Sequence, residues 1–117
     1  MRSLHERVGG DSAIASVVDE LYARLTTDPR VQHHFHPERL DSLKAAQRRW
    51  FRAVLGGADP DDRPDIAAAH KRLVITDEQV EAVLGHLDAA FGGLGTDPDV
   101  RRQVMALVRR MWYARQF

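Results

Sequence analysis

The chain contains no cysteine, which removes disulfides, thiolate metal sites and thiol nucleophiles together. It also has no excess of charge. Its 17 Lys and Arg balance 17 Asp and Glu, so there is no basic stripe to attract nucleic-acid phosphates. No apolar run approaches the length of a membrane span, and the opening MRSLHERVGGD lacks the apolar core of a secretory signal. Repeats and low-complexity tracts are missing as well. At 117 residues the chain is long enough to bury a core without staples. The expectation is one soluble domain spanning 1–117, cytoplasmic, with neither nucleic acid nor membrane as partner.

What is present is helical periodicity. Ser3-Leu4-His5-Glu6 reads as a capping box opening a short helix that Gly9-Gly10 stops. Asp11 is placed to cap the next helix, whose stripe is Ile14, Val17, Val18, Leu21, Tyr22 and Leu25. Thr27-Asp28-Pro29 ends it, and a short piece to about Phe35 precedes Pro37. Leu40, Leu43, Gln47, Trp50, Phe51 and Val54 mark a third helix closed by Gly56-Gly57, after which ADPDDRPD (58–65) is a polar loop. Thr76 to Gln79 forms another capping box, with Ile75 and Val80 spaced as a hydrophobic staple. That helix buries Val80, Val83, Leu84, Leu87, Ala90 and Phe91. Asp97-Pro98 opens a last helix through Val100, Val104, Leu107, Val108, Met111 and Trp112. Nothing alternates with a period of two, so the fold class is all-α.

Three residues break this apolar patterning. Gln47 occupies a stripe position, where an unpaired buried amide costs roughly 1–3 kcal/mol; a nearby backbone carbonyl or a rotated helix would relieve it. Tyr22 ends a stripe, and its hydroxyl needs a partner or a route to the surface. His70 follows three alanines and precedes Leu73, Val74 and Ile75. A lone histidine there reads as solvated or as capping the last carbonyls; on an apolar wall it also meets what a haem iron requires, one neutral imidazole beside a dry pocket. The stretch His33, His34, His36 lacks a further ligand at a zinc-motif spacing. Arg101, Arg102, Arg109 and Arg110 fall on a solvated helix face.

In their order and spacing these segments resemble the truncated haemoglobins, specifically the group I type. The resemblance covers nearly the whole chain and is carried by LHERVGG (4–10), VVDELYARL (17–25), DPRVQHHF (28–35), LKAAQRRWF (43–51) with the following LGG, and AHKRLVITDEQV (69–80). It implies a two-over-two helical sandwich around one haem b (iron protoporphyrin IX). Carried over by position, His70 is the proximal iron ligand, Tyr22 the distal tyrosine donating to the bound ligand, and Gln47 the glutamine that supports it. Phe35 is the corner phenylalanine packed on the porphyrin, and Leu43 stands where ordinary globins place a distal histidine. Trp50, Phe51, Ile66, Ile75 and Val83 are expected to line the haem faces, and Lys44, Lys71 and Arg72 are candidates to pair with the propionates.

The resemblance also implies a function: binding of dioxygen and other diatomic ligands, with nitric oxide dioxygenation served by an unidentified reductase, in a monomer or weak homodimer. Tyr22 and Gln47 would then act in the chemistry. Peroxidase-like or other redox turnover, a gas sensor working through a partner protein and a haem-free helical interaction module are the alternatives. The chain departs from the family pattern in three places. His34 precedes Phe35 where a second phenylalanine is common, Trp50 is bulkier than the usual phenylalanine and narrows any ligand tunnel, and ADPDDRPD lacks a glycine motif.

Overall fold

The computed structural model describes residues 2–64 and 75–114. Five α-helices form among them: α1 (Leu4–Val8), α2 (Gly10–Leu25), α3 (Leu40–Val54), α4 (Asp77–Gly93) and α5 (Pro98–Tyr113). Short 3-10 turns occupy Gln32–His34, Pro37–Arg39 and Pro60–Asp62, and no strand occurs among the described residues. Helix α2 is the hub: it packs on α3 on one side and on α4 on the other, α4 packs on α5, and α1 bridges α2 and α5. The result is the expected all-α arrangement, one helix pair laid over another. No helix among the described residues is long and apolar enough to cross a membrane.

Most helix ends follow local chemistry, while α2 and α3 start without a side-chain cap. The Ser3 hydroxyl accepts from the Glu6 N–H at 3.1 Å, and Gly9 then turns the chain at φ 114°. A Cβ at Gly9 would lie 2.9 Å from that of Ala13, so glycine is required there by both conformation and space. Helix α2 starts directly at Gly10, without a side-chain cap. The expectation that Asp11 caps it is therefore corrected: Asp11 lies in the first turn, where its carboxylate meets His5 Nε2 at 2.7 Å and Arg52 Nε at 3.4 Å. Tertiary partners outcompete the local cap because they join three segments through one carboxylate. The polar loop after α3 also holds one turn of 3-10 helix, Pro60–Asp62, capped by Asp59.

At α4 both halves of the Thr76 box are made, Gln79 N to Thr76 Oγ1 and Thr76 N to Gln79 Oε1, each at 3.1 Å. Asp97 accepts from the N–H groups of Asp99 and Val100 ahead of α5, with Pro98 at the first turn. The α1 backbone docks on the end of α3 through His5 N–H to Leu55 O at 2.8 Å. Gly57 lets that approach happen, since a Cβ there would sit 2.5 Å from the His5 ring.

All six stripe residues of α2 are buried, and they face Phe51 and Phe91, whose rings meet edge to face at 6.4 Å. On the opposite helix pair, Arg101–Asp88 (2.6 Å) and Arg109–Glu81 join α4 to α5 at the rim. Such partly exposed pairs add little beside the apolar core. Phe91 is fully buried at the centre. Phe91→Ala should therefore cost about 3–5 kcal/mol, whereas Thr76→Ala should cost about 1 kcal/mol through the lost cap; denaturant titration of the two variants measures the contrast.

Candidate functional site

Between the α2–α3 pair and α4 lies a cavity of about 230 Å³. Its α2 wall is Leu21, Tyr22 and Leu25; its α3 wall is Leu43, Ala46, Gln47, Trp50 and Phe51. The corner between those helices contributes Val31, His34 and Phe35. Opposite stand Ile75, Gln79, Val80, Val83, Leu84 and Leu87, and Val108 and Trp112 of α5 close the end. A mostly apolar wall with a few polar groups converging on it is the usual makeup of a cofactor or ligand site.

The structure thus brings Tyr22, Phe35, Leu43, Gln47, Trp50, Phe51, Ile75 and Val83 to one cavity. Lys44 is not among its lining residues; its Nζ lies 3.4 Å from Asp19 on α2. Ile66, His70, Lys71 and Arg72 lie outside the described residues. The lining also includes residues whose sequence pattern announced only burial: Leu21, Leu25, Leu84, Leu87, Val108 and Trp112. Apolar periodicity reports which face is dry, not whether protein or a cavity covers it. Val83 and Trp112, expected in the core, are half-buried for this reason.

Tyr22 and Phe35 pack edge to face at 5.6 Å. Tyr22 is only 5 % exposed, and burial pushes its phenol up to about 12, so the hydroxyl stays protonated and remains a donor at any physiological pH. Neither the Tyr22 hydroxyl nor the Gln47 amide hydrogen-bonds to another side chain or backbone group among the described residues. Two further polar atoms in the wall, Trp50 Nε1 and His34 Nε2, are buried without a partner. More than nine in ten buried polar groups in folded proteins are paired, so orphans gathered on one cavity mark a place for a partner that the described residues do not supply. No group of three or more potential metal ligands occurs among the described residues, His33, His34 and His36 included.

The corner carrying His34 and Phe35 is held by Asp28. Its carboxylate accepts from the Arg30 side chain (Nη2 at 2.7 Å), the Arg30 backbone N–H at 2.9 Å and His86 Nε2 of α4 at 2.7 Å. Gln79 Nε2 adds a bond to the Arg30 carbonyl at 3.0 Å. The Arg30 side chain first, then His86 and the backbone N–H, hold the Asp28 carboxyl far below the ordinary carboxylate range. His34 shifts down from its usual value, through burial first and the neighbouring His33 second, with the nearby Gln79 amide oxygen acting in the opposite direction.

Known proteins resemble this chain in sequence and in fold. The family model described as bacterial-like globin matches residues 3–116. A group 1 truncated hemoglobin of a Synechocystis species is 31% identical over 111 residues, covering 92% of this chain and 90% of that protein. The 2/2 hemoglobin of a Synechococcus species, solved in the cyanomet state with covalently attached heme, superposes with a TM-score of 0.85 at 27% identity, over 92% of this chain and 90% of that one. The Fe(III) truncated hemoglobin of Tetrahymena pyriformis reaches a TM-score of 0.85 at 23% identity over 94% of each chain, a likeness of fold.

The two shifted groups of the corner give a signed acid dependence. Folded Asp28 binds its proton less readily than the unfolded chain, so its contribution is intact above the ordinary carboxylate range, near pH 4, and is lost progressively as pH falls below it. His34 likewise resists a proton that the unfolded chain accepts, so stability also declines as pH falls below about 6.5. Asp28→Asn should lower the melting temperature by several degrees at pH 7 and flatten the decline below pH 4, leaving the shallower one between pH 6.5 and 4. Thermal scans from pH 7 to 3 test this; an unchanged acid limb would remove Asp28 from the account.

Proposed function

The chain belongs to the bacterial-like globins, as a truncated haemoglobin of the group I type, and from this premise we propose that it binds haem b in the cavity, holds dioxygen there and turns it, with nitric oxide, into nitrate. When bound, haem supplies a ferrous centre for diatomic ligands and the one-electron chemistry by which dioxygen and nitric oxide combine to nitrate. The residues present fit that group. The wall is apolar on both faces that the described residues supply, and its unpartnered polar atoms call for an added partner. Phe35, Leu43, Trp50, Phe51, Ile75 and Val83 are the residues to hold the macrocycle by apolar contact, and His70 is the candidate iron ligand.

The observation that carries the reading is the pairing of two uncommitted neutral donors, Tyr22 and Gln47, on adjacent walls of one dry cavity. A bound diatomic ligand that gained negative charge on its outer atom would face both donors. A hydroxyl held protonated by burial donates to it at every physiological pH. Each charge-assisted bond is worth about 1.5–3 kcal/mol, and about 1.4 kcal/mol is tenfold in an equilibrium. Two such bonds slow dioxygen release strongly, which suits chemistry on held dioxygen better than delivery of it. The apolar wall keeps water from competing for those donors. Each turnover consumes one electron, so an external reductase is required, and nothing in the chemistry calls for a second copy of the chain; the monomer would work with that reductase in the cytoplasm.

Visible absorption of the purified protein with and without added haem, beside His70→Ala, tests the cofactor and its ligand. A Soret band that shifts with carbon monoxide, and whose ligation changes in the variant, is expected; no specific haem uptake would sink the proposal. Tyr22→Phe should speed dioxygen dissociation by about tenfold or more in stopped-flow displacement by carbon monoxide. Consumption of nitric oxide by the oxygenated protein, with nitrate as product, then distinguishes dioxygenation from reversible binding.

A further inference from the structure

We propose that the Trp50 indole N–H is a third hydrogen-bond donor to the ligand held in the cavity, beside Tyr22 and Gln47. The inference rests on the reading of the cavity as a haem site and extends it to a residue with no assigned polar role. Trp50 is 3 % exposed and lines the cavity, and its Nε1 is buried without an acceptor. An indole nitrogen is a donor only, and when buried it ordinarily finds a partner. Phenylalanine would fill the same wall without leaving a donor unmet.

The surroundings confine that N–H. Leu43, Gln47 and Trp50 follow one another at four and three residues along α3 and share its inner face. The Phe51 ring stands edge to face on the indole at 5.2 Å and 81°, which restrains its swing. The polar group across the cavity, Gln79, has its amide oxygen on Thr76 N and its amide nitrogen on Arg30 O, so both ends of its amide are engaged away from the indole. Of the three buried side-chain atoms without partners among the described residues, two line this cavity and the third, Thr96 Oγ1, does not. The acceptor assigned to Trp50 is the polarised end of the bound ligand. Three donors around one acceptor would favour dioxygen over carbon monoxide, because dioxygen accumulates more negative charge on its outer atom.

The test uses the haem-loaded ferrous protein with dioxygen and with carbon monoxide, both diamagnetic, and reads the indole N–H signals by proton–nitrogen NMR. The signal lost in Trp50→Phe identifies the residue against Trp112. In the parent the Trp50 proton should move downfield and exchange more slowly with dioxygen than with carbon monoxide, and Trp50→Phe should release dioxygen roughly tenfold faster. A purely packing role would move neither the ligand-dependent shift nor the ratio of dioxygen to carbon monoxide affinity. With a normal Soret band, an indole signal at the same position in both complexes overturns this proposal alone, and so does an unchanged release rate in the variant. Failure to take up haem overturns it together with the reading on which it rests.

Discussion

The carboxylate of Asp28, one buried acid accepting from Arg30 and from His86 58 positions further on, ties the end of α2 to the middle of α4. The helix pair α2–α3 and the helix pair α4–α5 must stand apart to leave a cavity, so apolar contact cannot hold them together where the cavity lies. A buried ion pair is weak evidence for stability in general, but a carboxylate that also accepts a backbone N–H and an imidazole is well satisfied. Its effect is positional. It fixes the turn after α2, Gln79 reinforces it through the Arg30 carbonyl, and the chain emerges with His34 and Phe35 against the cavity. Tyr22 then receives Phe35 edge to face, which completes this side of the cavity.

A cavity with unmet donors works against the fold that contains it. Each buried polar atom left without a partner costs free energy, and missing contacts along the walls forfeit dispersion. The structure offsets this by concentrating tight packing elsewhere. Ile14, Val17, Val18, Phe91, Val100 and Val104 form a core beside the cavity, and Gly9 and Gly57 bring α1 close enough to lock the far end of α2 against α3. Rigid support on one side permits an open, chemically demanding surface on the other. A donor held by such a frame needs no reorganisation when a ligand arrives, which is where electrostatic stabilisation gains its strength.

Most of the helical order was readable from local patterns. The α2 stripe, the Thr76 box and the Asp97-Pro98 start are each set by chemistry within a turn or two, and the structure reproduces them. Tyr22 and Gln47 stood out because a polar residue on an apolar stripe requires an explanation, and both face the cavity. Asp28 did not stand out. Asp-Pro after a helix reads as punctuation, and nothing local announces a histidine 58 residues later on a helix whose apolar stripe omits it. Asp11 misled for the converse reason, since a good local cap lost to His5 and Arg52. Lys44 on α3 meets Asp19, a partner invisible to spacing along its own helix. Long-range pairing decides these polar residues, whereas periodicity decides the apolar ones.

The electrostatic character of the cavity follows from one cause acting on two residues. Among the described lining residues, Tyr22 and His34 are the ones able to titrate. Burial raises the phenol and lowers the imidazole, so both shifts favour the uncharged form near pH 7. Gln47 and Trp50 carry no charge at any pH. The described wall is therefore neutral but rich in donors, which penalises a charged species that must shed its water to enter. Such a wall favours a small neutral molecule over an ion, and its donors would strengthen the hold on one that acquired negative charge after binding. That is a selection by chemistry rather than by size, and it separates the grip on the ligand from the acid sensitivity of the corner. Neutral donors set the grip, while Asp28 and His34 determine how far the pH can fall before the frame that aims them loosens.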